Sequence, residues 1–288
     1  MSAKKINLLV IDPQNDFCDI PDEFLPKKQV RGVLEVSSRP ALPVTGAHQD
    51  MLNLATFINR VGRKLNDIQL TLDSHNIVDI AHPIWWVNQQ GQSPNPFTVI
   101  SVADVETGVW RAKNPAYQTK SLDYVKALAN NGRYVLVIWP EHCIISTWGH
   151  NVHYAVAEAV TQWARQEFAT PYYVTKGSNI FTEHYSAVQA EVPDAGDDST
   201  MFNQPFVSQV DDCDLILVAG EALSHCVANT VRDMMKSFTK ESVEKMVILS
   251  DCTSSVAGFE QLGQDFLIEF KQAGGKVMTT TDVIATYF

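Results

Sequence analysis

The residues best suited to nucleophilic chemistry are a cysteine, a lysine and an aspartate that lie far apart in the chain. Cys226 lies in the stretch GEALSHCVANT (220–230), directly after the apolar run LILVA. A helix N-terminus and a nearby cation both lower the pKa of a thiol. Lys176 supplies the cation, and Asp12 supplies a carboxylate that can take the thiol proton and return it to a leaving amine. This combination predicts acyl transfer on Cys226.

The segment around Cys226 is predicted to begin a helix over residues 225–239. Ser224 is a candidate N-cap for this helix. The backbone N–H groups of Ala222 and Cys226 lie in the turn before it and are candidate donors to a developing oxyanion. The alternative for an isolated cysteine is a small apolar residue in the core.

A second group of residues predicts a metal site. Asp73 and His75 alternate in an extended DSH sequence, and His142 follows in WPEHC. One carboxylate and two imidazoles are suitable ligands for a divalent ion. His82 in DIAHP is a further candidate ligand, although a surface or packing role explains it equally well.

Short apolar runs that alternate with helical segments must position these residues. The predicted strands are 6–12, 68–73, 133–139, 172–176, 215–220, 245–251 and 276–280, and the predicted helices are 48–65, 119–130, 150–168, 225–239 and 257–273. The strand runs are continuously apolar, as expected for strands covered on both faces. The sequence therefore predicts an α/β fold: a single-domain, doubly wound, Rossmann-like parallel sheet of about six strands with helices on both faces.

The predicted sheet brings the polar residues to one edge. In open parallel sheets, ligands bind outside the carboxyl ends of the strands. Asp12, Asp73, His142, Lys176 and Cys226 each follow one of five consecutive predicted strands. We therefore expect one site at this edge. Asp16, four residues after Asp12, is expected to cap or salt-bridge its loop.

Two segments interrupt the alternation of strands and helices. Residues 18–46 are rich in proline, and residues 76–118 contain three tryptophans among proline-containing turns. Neither has the character of a separate domain. We interpret the whole chain, 1–288, as one domain, with 76–118 as an insertion that forms a lid, a pocket wall or an oligomer contact.

Composition narrows the class of partner. The chain has 288 residues, a formal net charge of −11 and five cysteines without CxxC spacing. The acidic balance and the absence of a Lys/Arg cluster argue against nucleic acid. No run approaches the roughly 20 apolar residues of a membrane span, and the scattered cysteines are typical of reduced thiols. These features predict a cytoplasmic protein that binds a small molecule and no membrane. The VIDPQND turn also lacks the glycines of a dinucleotide site.

Five segments together resemble a known family. LLVIDPQNDF, DSH, WPEHC, TKGSNIF and GEALSHCVANT are similar, in order and strand context, to signature segments of the isochorismatase-like cysteine hydrolases, specifically the nicotinamidase branch. The resemblance implies a catalytic triad of Asp12, Lys176 and Cys226. It also implies a cis peptide between Glu221 and Ala222 that helps to form the oxyanion hole.

The resemblance further implies the ligands of the metal and the substrate. The metal ligands are Asp73, His75 and His142, holding one divalent ion, zinc first and manganese or iron as alternatives. Phe17 and Trp139 form an aromatic clamp around the substrate ring. The implied reaction is the hydrolysis of nicotinamide to nicotinate and ammonia through a thioester on the cysteine. The metal then holds the pyridine nitrogen and orders water, in a protein we expect to be a homo-oligomer.

Several features depart from the family pattern. The stretch between His75 and His142 is longer than in compact nicotinamidases, and an imidazole, His225, replaces the aromatic residue that often precedes the cysteine. The Gly-Thr-rich segment that often follows WPxHC is here IISTWGHNVH, in which we expect His150 and His153 to mark a helix start or an interface. Two alternatives therefore stay open. One is an enzyme that hydrolyses another small amide or carbamoyl compound with the same triad; the other is a noncatalytic ligand-binding or assembly subunit.

Overall fold

The computed structural model describes residues 4–131 and 134–288, and its strands confirm the predicted α/β class. In chain order they are β1 (Ile6–Ile11), β2 (Lys27–Val30), β3 (Val33–Val36), β4 (Asp67–Asp73), β5 (Trp86–Val87), β6 (Val99–Ile100), β7 (Arg111–Ala112), β8 (Leu136–Val137), β9 (Tyr172–Lys176), β10 (Leu215–Gly220), β11 (Met246–Leu249) and β12 (Lys276–Met278). The central sheet has the order β12-β11-β10-β1-β4-β9, with every neighbouring pair parallel.

Helices cover both faces of this sheet. In chain order they are α1 (Ala47–Val61), α2 (Val102–Glu106), α3 (Gln118–Asn131), α4 (Tyr154–Glu167), α5 (Gln204–Asp211), α6 (Ala228–Ser237), α7 (Lys240–Glu244), α8 (Glu260–Gln272) and α9 (Thr280–Tyr287). None of the helices formed by the described residues is long and apolar enough to cross a bilayer.

The alternation of side chains along β1 separates two hydrophobic layers. Leu8 and Val10 pack in the layer that contains α1 and α4, whereas Leu9 and Ile11 pack in the layer that contains α5, α6 and α8. All four side chains are completely buried. Because successive residues of a strand point to opposite faces, a strand covered on both sides needs apolar residues at every position. This explains why continuous apolar runs identify the central strands.

One predicted strand does not join the sheet. The predicted run 133–139 begins at Arg133, which lies outside the described residues, and only Leu136–Val137 is extended as β8. It pairs antiparallel with β6 in the 76–118 segment. The run is apolar because the segment covers it, and not because two layers of helices enclose it. His142 nevertheless reaches the same edge as the other predicted site residues.

The helix boundaries differ from prediction near the site. The helix predicted at 225–239 is a π-helical turn, Leu223–Val227, followed by α6. The helix predicted to begin at residue 150 is α4, which begins at Tyr154. His153 is its N-cap and accepts a hydrogen bond from the N–H of Ala155. His153 is therefore a helix-start residue, as expected. The short helices α2, α5, α7 and α9 were not predicted.

The 76–118 segment packs tightly against the rest of the chain. Trp85 and Trp86 are buried, and their indole N–H groups donate to Ser121 Oγ and to the carbonyl of Ile80. Phe97 lies at the surface, with its ring 5.8 Å from that of Trp139. The segment thus reaches the edge of the sheet where the site residues lie.

The topology places a crevice at this edge. The chain moves from β1 outward to β4 and β9, and then returns to the other side of β1 as β10 and β11. Strand order therefore reverses between β1 and β10. Ligands of open α/β sheets bind outside the carboxyl ends of the strands at such a point.

Candidate active site and metal centre

Asp12, Lys176 and Cys226 come together at the carboxyl edge of the sheet. Lys176 Nζ lies 2.9 Å from Asp12 Oδ2 and 3.7 Å from Cys226 Sγ. Burial and the charge of the nearby Asp12 carboxylate both raise the pKa of the Cys226 thiol. All three residues are buried. The structure thus assembles a carboxylate, an amine and a thiol that were chosen from three distant parts of the sequence.

Asp12 is held in place by the neighbouring strand. It follows β1 with a φ of 43°, a left-handed conformation that is costly for a residue with a side chain. Its N–H donates to Thr71 Oγ1 at 3.0 Å, and the Thr71 hydroxyl donates to Asp12 Oδ1 at 2.5 Å. This reciprocal pair fixes the carboxylate and leaves its second oxygen for the ammonium of Lys176.

The ends of two paired strands position Lys176. Asp73 and Lys176 are register partners in β4 and β9, and Lys176 Nζ donates to Asp73 Oδ1 at 2.9 Å. The ammonium also donates to the carbonyl of His184 at 2.9 Å. Together with Asp12, these acceptors surround the buried charge. Lys176 therefore links the carboxylate of the triad to the predicted metal site.

The turn that carries Cys226 depends on Gly220. Gly220 has a φ of 114°, and a side chain there would collide with the backbone of Ile11 on the paired strand β1. The next peptide bond, Glu221–Ala222, is cis, as the resemblance implies. Cys226 then lies within the π-helical turn, a geometry common at functional sites. Among the described residues, no group accepts the N–H of Ala222, which leaves it free for an oxyanion.

Ser224 does not have the predicted role of N-cap. The residue before the π-helical turn is Ala222, and no side chain caps the turn. Ser224 Oγ instead accepts the N–H of Val256 at 3.1 Å and lies 2.9 Å from His225 Nδ1. The predicted helix start, residue 225, lies inside the π-helical turn, so Ser224 is itself part of the turn and does not cap it. The Ser224 hydroxyl therefore contacts the imidazole of His225, the residue before Cys226.

The sequence predicts a lowered pKa for the Cys226 thiol, but in the structure this pKa is raised. Burial raises the pKa of the thiol well above its usual value, and the charge of Lys176 opposes this increase only in part. Burial also raises the pKa of the Asp12 carboxyl. Burial lowers the pKa of the Lys176 ammonium, but Asp12 and Asp73 outweigh it and hold that pKa well above its usual value. At rest the site therefore combines the thiol of Cys226, the carboxyl groups of Asp12 and Asp73, and the charged amine of Lys176.

Asp73, His75 and His142 form the cluster predicted to bind a metal. One ligand atom from each residue lies within 4.8 Å of the others. Asp73 Oδ2 is 3.0 Å from His75 Nε2 and 3.3 Å from His142 Nε2. All three residues are buried. The two imidazoles therefore present the same nitrogen, Nε2, to one carboxylate oxygen.

The outer contacts of the two imidazoles also suit a metal. His75 Nδ1 lies 3.3 Å from Asp79 Oδ2, and His142 Nδ1 lies 2.8 Å from the carbonyl of Pro140. Metal-bound histidines characteristically donate their second ring N–H to a carboxylate or carbonyl, which leaves the other nitrogen unprotonated for the ion. The residues present therefore fit a divalent metal.

His82 lies beside this cluster. Its ring centroid is 5.2 Å from that of His75 and 5.6 Å from that of His142. His82 Nδ1 lies 3.1 Å from the carbonyl of Ile77, and its buried Nε2 makes no hydrogen bond in the described part of the chain. Burial lowers the pKa of His82 to about 3, so the ring is neutral. His82 is not part of the group of three residues, Asp73, His75 and His142, whose ligand atoms lie close together.

A narrow pocket adjoins both groups of residues. The side chains that line it include both predicted clamp residues and members of the triad and the metal cluster: Phe17, Leu42, Asp73, Trp139, His142, Glu183, Tyr185, Ala222, His225, Cys226 and Val256. Its cavity volume is about 20 Å³. A dry cavity that accepts benzene measures about 150 Å³. An aromatic ring would therefore require the pocket walls to move apart.

Several polar residues of the site could not be found from sequence patterns. Gln14 accepts the N–H of Asp73 at 2.7 Å and donates to its carbonyl at 2.8 Å, which fixes the loop after β4. Glu183 is buried at the pocket, and burial raises the pKa of its carboxyl. Asp16 accepts the N–H groups of Ala41 and Cys143, so it caps loops as expected. Only tertiary contacts distinguish these residues from ordinary polar loop residues.

The other cysteines lie outside the triad. The buried Cys18 donates its thiol hydrogen to the carbonyl of Gln14 and does not line the pocket. Cys143 and Cys252 are completely buried, as expected for packing residues, whereas Cys213 is partly exposed.

Comparison with known proteins identifies the fold. No protein-family model and no curated protein matches the sequence. Among solved structures, a nicotinamidase/pyrazinamidase from Acinetobacter baumanii superposes with a TM-score of 0.60 at 20% identity, covering 98% of this chain and 100% of that one. The zinc complex of a pyrazinamidase from Pyrococcus horikoshii gives a TM-score of 0.53 at 16% identity over 96% and 99% of the two chains. An isochorismatase-like hydrolase from Alkaliphilus metalliredigens gives 0.51 at 16% identity over 99% and 100%. The chain therefore has the fold of the isochorismatase-like hydrolases, in the form shared with nicotinamidases and pyrazinamidases.

Proposed function

We propose that this protein is a cysteine-dependent amidohydrolase that releases ammonia from a small amide through a thioester on Cys226. The observation that carries the proposal is the position of one buried ammonium, that of Lys176, 3.7 Å from the sulfur of Cys226 and 2.9 Å from the buried carboxylate of Asp12. Nicotinamide is the first candidate substrate, because solved structures with this fold include nicotinamidases and two aromatic side chains, Phe17 and Trp139, line the pocket.

Acylation begins with transfer of the thiol proton to Asp12. Because the pKa values of both groups are raised by burial, the proton moves as the sulfur attacks, and a free thiolate need not accumulate. The sulfur forms a bond to the amide carbon, and the carbonyl electron pair moves onto oxygen. Ala222 lines the pocket and its N–H has no acceptor among the described residues, which supports it as the donor to this oxygen.

Collapse of the tetrahedral intermediate breaks the carbon–nitrogen bond. Asp12 returns its proton to the departing nitrogen, which leaves as ammonia, and Cys226 holds the acyl group as a thioester. Water then attacks the thioester and gives its proton to Asp12. The carbon–sulfur bond breaks, the sulfur recovers the proton, and the carboxylic acid is released. Lys176 keeps its charge throughout and stabilises the Asp12 carboxylate between steps.

Asp73, His75 and His142 are the residues that would hold a divalent ion, for which we propose zinc. Three protein ligands with mixed oxygen and nitrogen donors are characteristic of catalytic zinc sites. When bound, such an ion acts as a Lewis acid toward an electron-pair donor of the substrate or water. Asp79 and the carbonyl of Pro140 hold the two imidazoles in the required tautomer.

The size of the pocket favours a second candidate substrate. A cavity of about 20 Å³ does not admit a pyridine ring unless the walls move. A short aliphatic amide or carbamoyl compound has a smaller volume than pyridine carboxamide and demands less movement of Phe17 and Trp139. The triad performs the same chemistry on either class.

An ammonia-release assay tests the proposal. The parent protein, reconstituted with Zn²⁺, is assayed with nicotinamide, pyrazinamide and a series of aliphatic amides and carbamoyl compounds. Cys226→Ala should lose activity by several orders of magnitude, whereas the control Cys213→Ala, at a partly exposed thiol outside the triad, should retain it. Intact-protein mass spectrometry of quenched reactions should show the acyl adduct on the parent only. Turnover that persists in Cys226→Ala would refute the mechanism.

A further inference from the structure

The pocket contains an unusual imidazole next to the nucleophile. His225 directly precedes the nucleophile and lines the pocket. Its ring is enclosed by aromatic side chains, with centroids 4.9 Å away for Phe259, 5.2 Å for Trp139 and 5.4 Å for Tyr185. Burial lowers the pKa of His225 to about 4, and no charged group contributes to this shift. The imidazole is therefore neutral near pH 7, with one N–H and one acceptor nitrogen.

The contacts of Ser224 determine which nitrogen carries the proton. Ser224 is completely buried, and its Oγ already accepts the N–H of Val256. Within the described residues, His225 Nδ1 at 2.9 Å is the acceptor available to the Ser224 hydroxyl hydrogen. A buried hydroxyl without an acceptor is costly, so the O–H donates to Nδ1. The proton of the neutral ring is consequently on Nε2, which has no hydrogen-bond partner within residues 4–131 and 134–288.

Tyr185 provides a second donor in the same pocket. Its Oη accepts the indole N–H of Trp139 at 2.9 Å, which fixes the direction of that hydrogen bond because an indole N–H can only donate. No acceptor for the Tyr185 O–H is present among the described side chains and carbonyls. Two neutral donors, one on His225 and one on Tyr185, thus remain unused in one pocket.

We propose that His225 and Tyr185 select amides that carry a second, neutral oxygen acceptor, a hydroxyl or a carbonyl, in addition to the reacting amide. This inference rests on the proposed function and names the substrate class for the same site. The reacting carbonyl has its own donor in Ala222, so the donors of His225 and Tyr185 serve another atom. Buried donors left unpaired disfavour an analogue without that acceptor.

The charges around the pocket exclude an anionic second group. The charged side chains that line it, Asp73 and Glu183, are carboxyl groups. The ammonium of Lys176 is already surrounded by Asp12, Asp73 and the carbonyl of His184. Without a divalent ion on Asp73, His75 and His142, a substrate carboxylate would be buried without a counter-ion, which costs more than a neutral hydrogen bond returns. The carboxylated compound is therefore compared on the metal-free protein.

Matched substrates test the inference. The rates of ammonia release, as kcat/KM, are compared for 5-hydroxynicotinamide, 5-methylnicotinamide and 5-carboxynicotinamide, and for 4-oxopentanamide and pentanamide. We expect a preference of about tenfold for the hydroxyl or oxo compound over its apolar partner in at least one series. The preference should fall to near unity in His225→Phe and recover in part in His225→Gln, whose amide N–H lies near the position of Nε2. Tyr185→Phe should reduce it as well.

Further measurements separate this inference from the proposed function. If the parent hydrolyses none of the amides, calorimetric binding of the same compounds to Cys226→Ala should still show the preference, which would support the donor pair and contradict only the hydrolysis. Nitrogen-15 NMR of the parent should show a protonated Nε2 and an unprotonated Nδ1 in His225. Any one of four results would overturn the inference. They are a preference that is unchanged in His225→Phe, a preference for the carboxylated compound, no preference in either assay, and the opposite tautomer of His225.

Discussion

Replacing Lys176 with methionine is expected to destabilise the protein strongly, because it leaves two buried carboxylates without their shared cation. Lys176 Nζ lies 2.9 Å from Asp12 Oδ2 and 2.9 Å from Asp73 Oδ1. The side chains of the three residues are between 0% and 4% exposed. Methionine keeps most of the apolar stem, so the change removes charge and hydrogen bonds and creates little cavity.

The structure sets the size of this effect. Removing one partner of a buried ion pair costs about 3–5 kcal/mol, because the other charge stays buried without compensation. With an unfolding entropy of about 2.1 cal/mol/K per residue, that corresponds to a decrease in melting temperature of roughly 5–8 °C for a chain of 288 residues. A bound divalent ion would take over part of the compensation at Asp73, so a chelator should increase the loss.

The loss should also depend on pH. Without Lys176, burial dominates at Asp12 and raises the pKa of its carboxyl further above the unfolded value. A carboxyl with a raised folded pKa contributes stability below its unfolded pKa and loses it as the pH rises through the folded pKa. The difference between Lys176→Met and the parent should therefore be larger at pH 8 than at pH 5.

Urea unfolding followed by tryptophan fluorescence at both pH values, with and without chelator, measures these differences. Lys245→Met is the matched control: Lys245 Nζ also contacts three oxygens, including Asp211 Oδ1 at 2.8 Å, but its side chain is 26% exposed. It should cost about 1 kcal/mol or less. Equal losses in the two variants, or a Lys176→Met deficit that grows toward low pH, would show that the burial argument is wrong.

Five further variants, in four predictions, test the site and the fold. Asp73→Ala or His75→Ala should lower the metal content and weaken substrate binding while the fold survives; full occupancy by elemental analysis would contradict the ligand set. Asp79→Asn should weaken metal binding by about 10–100-fold, measured by chelator competition, because it removes the carboxylate that orients an imidazole; an unchanged affinity would exclude that role. Asp12→Asn should bind substrate nearly normally but fail to accumulate acyl-enzyme in quenched-flow mass spectrometry; normal acylation would remove Asp12 as the base. Burial lowers the pKa of His153 to about 4, so this residue adds stability above its unfolded pKa of about 6.5 that is lost as the pH falls toward 4, and His153→Asn should flatten the stability profile in that window; an unchanged slope would contradict this.

The sequence predicts the central sheet well because burial on both faces leaves a local signal. The strands β10 and β11 are continuous apolar runs, and β1 is interrupted only by Asn7, so the run alone identifies these strands. The strand β4 also contains the buried polar residues Gln69 and Thr71. The run 133–139 carries the same signal for another reason, since the 76–118 segment covers it and pairs with it as β6. Which partner buries an apolar run depends on distant residues. The local pattern therefore cannot distinguish a strand of the central sheet from a strand outside it that another segment covers.

The site was predictable where its residues follow strands and unpredictable where they do not. Asp12, Asp73 and Lys176 each mark the carboxyl end of a central strand, so the topology brings them together. Gln14 and Asp79 act through hydrogen bonds to these residues and to His75, and nothing in their own neighbourhood of the sequence distinguishes them. Their roles become visible only when the partner atoms are known.

The direction of the shift in the Cys226 pKa depends on which of two opposing effects is larger, the helix terminus or the burial of the thiol. A helix terminus stabilises a nearby charge by about 0.3–1 kcal/mol at a surface, which is less than one pKa unit of about 1.4 kcal/mol. Complete burial shifts a pKa by up to about 3–5 units in the opposite direction. Because the thiol is 6% exposed, desolvation outweighs both the helical turn and the partial compensation by Lys176. The proposed chemistry therefore requires a base close to the sulfur, and Asp12, whose carboxylate shares the ammonium of Lys176 with the thiol, is our candidate for that base.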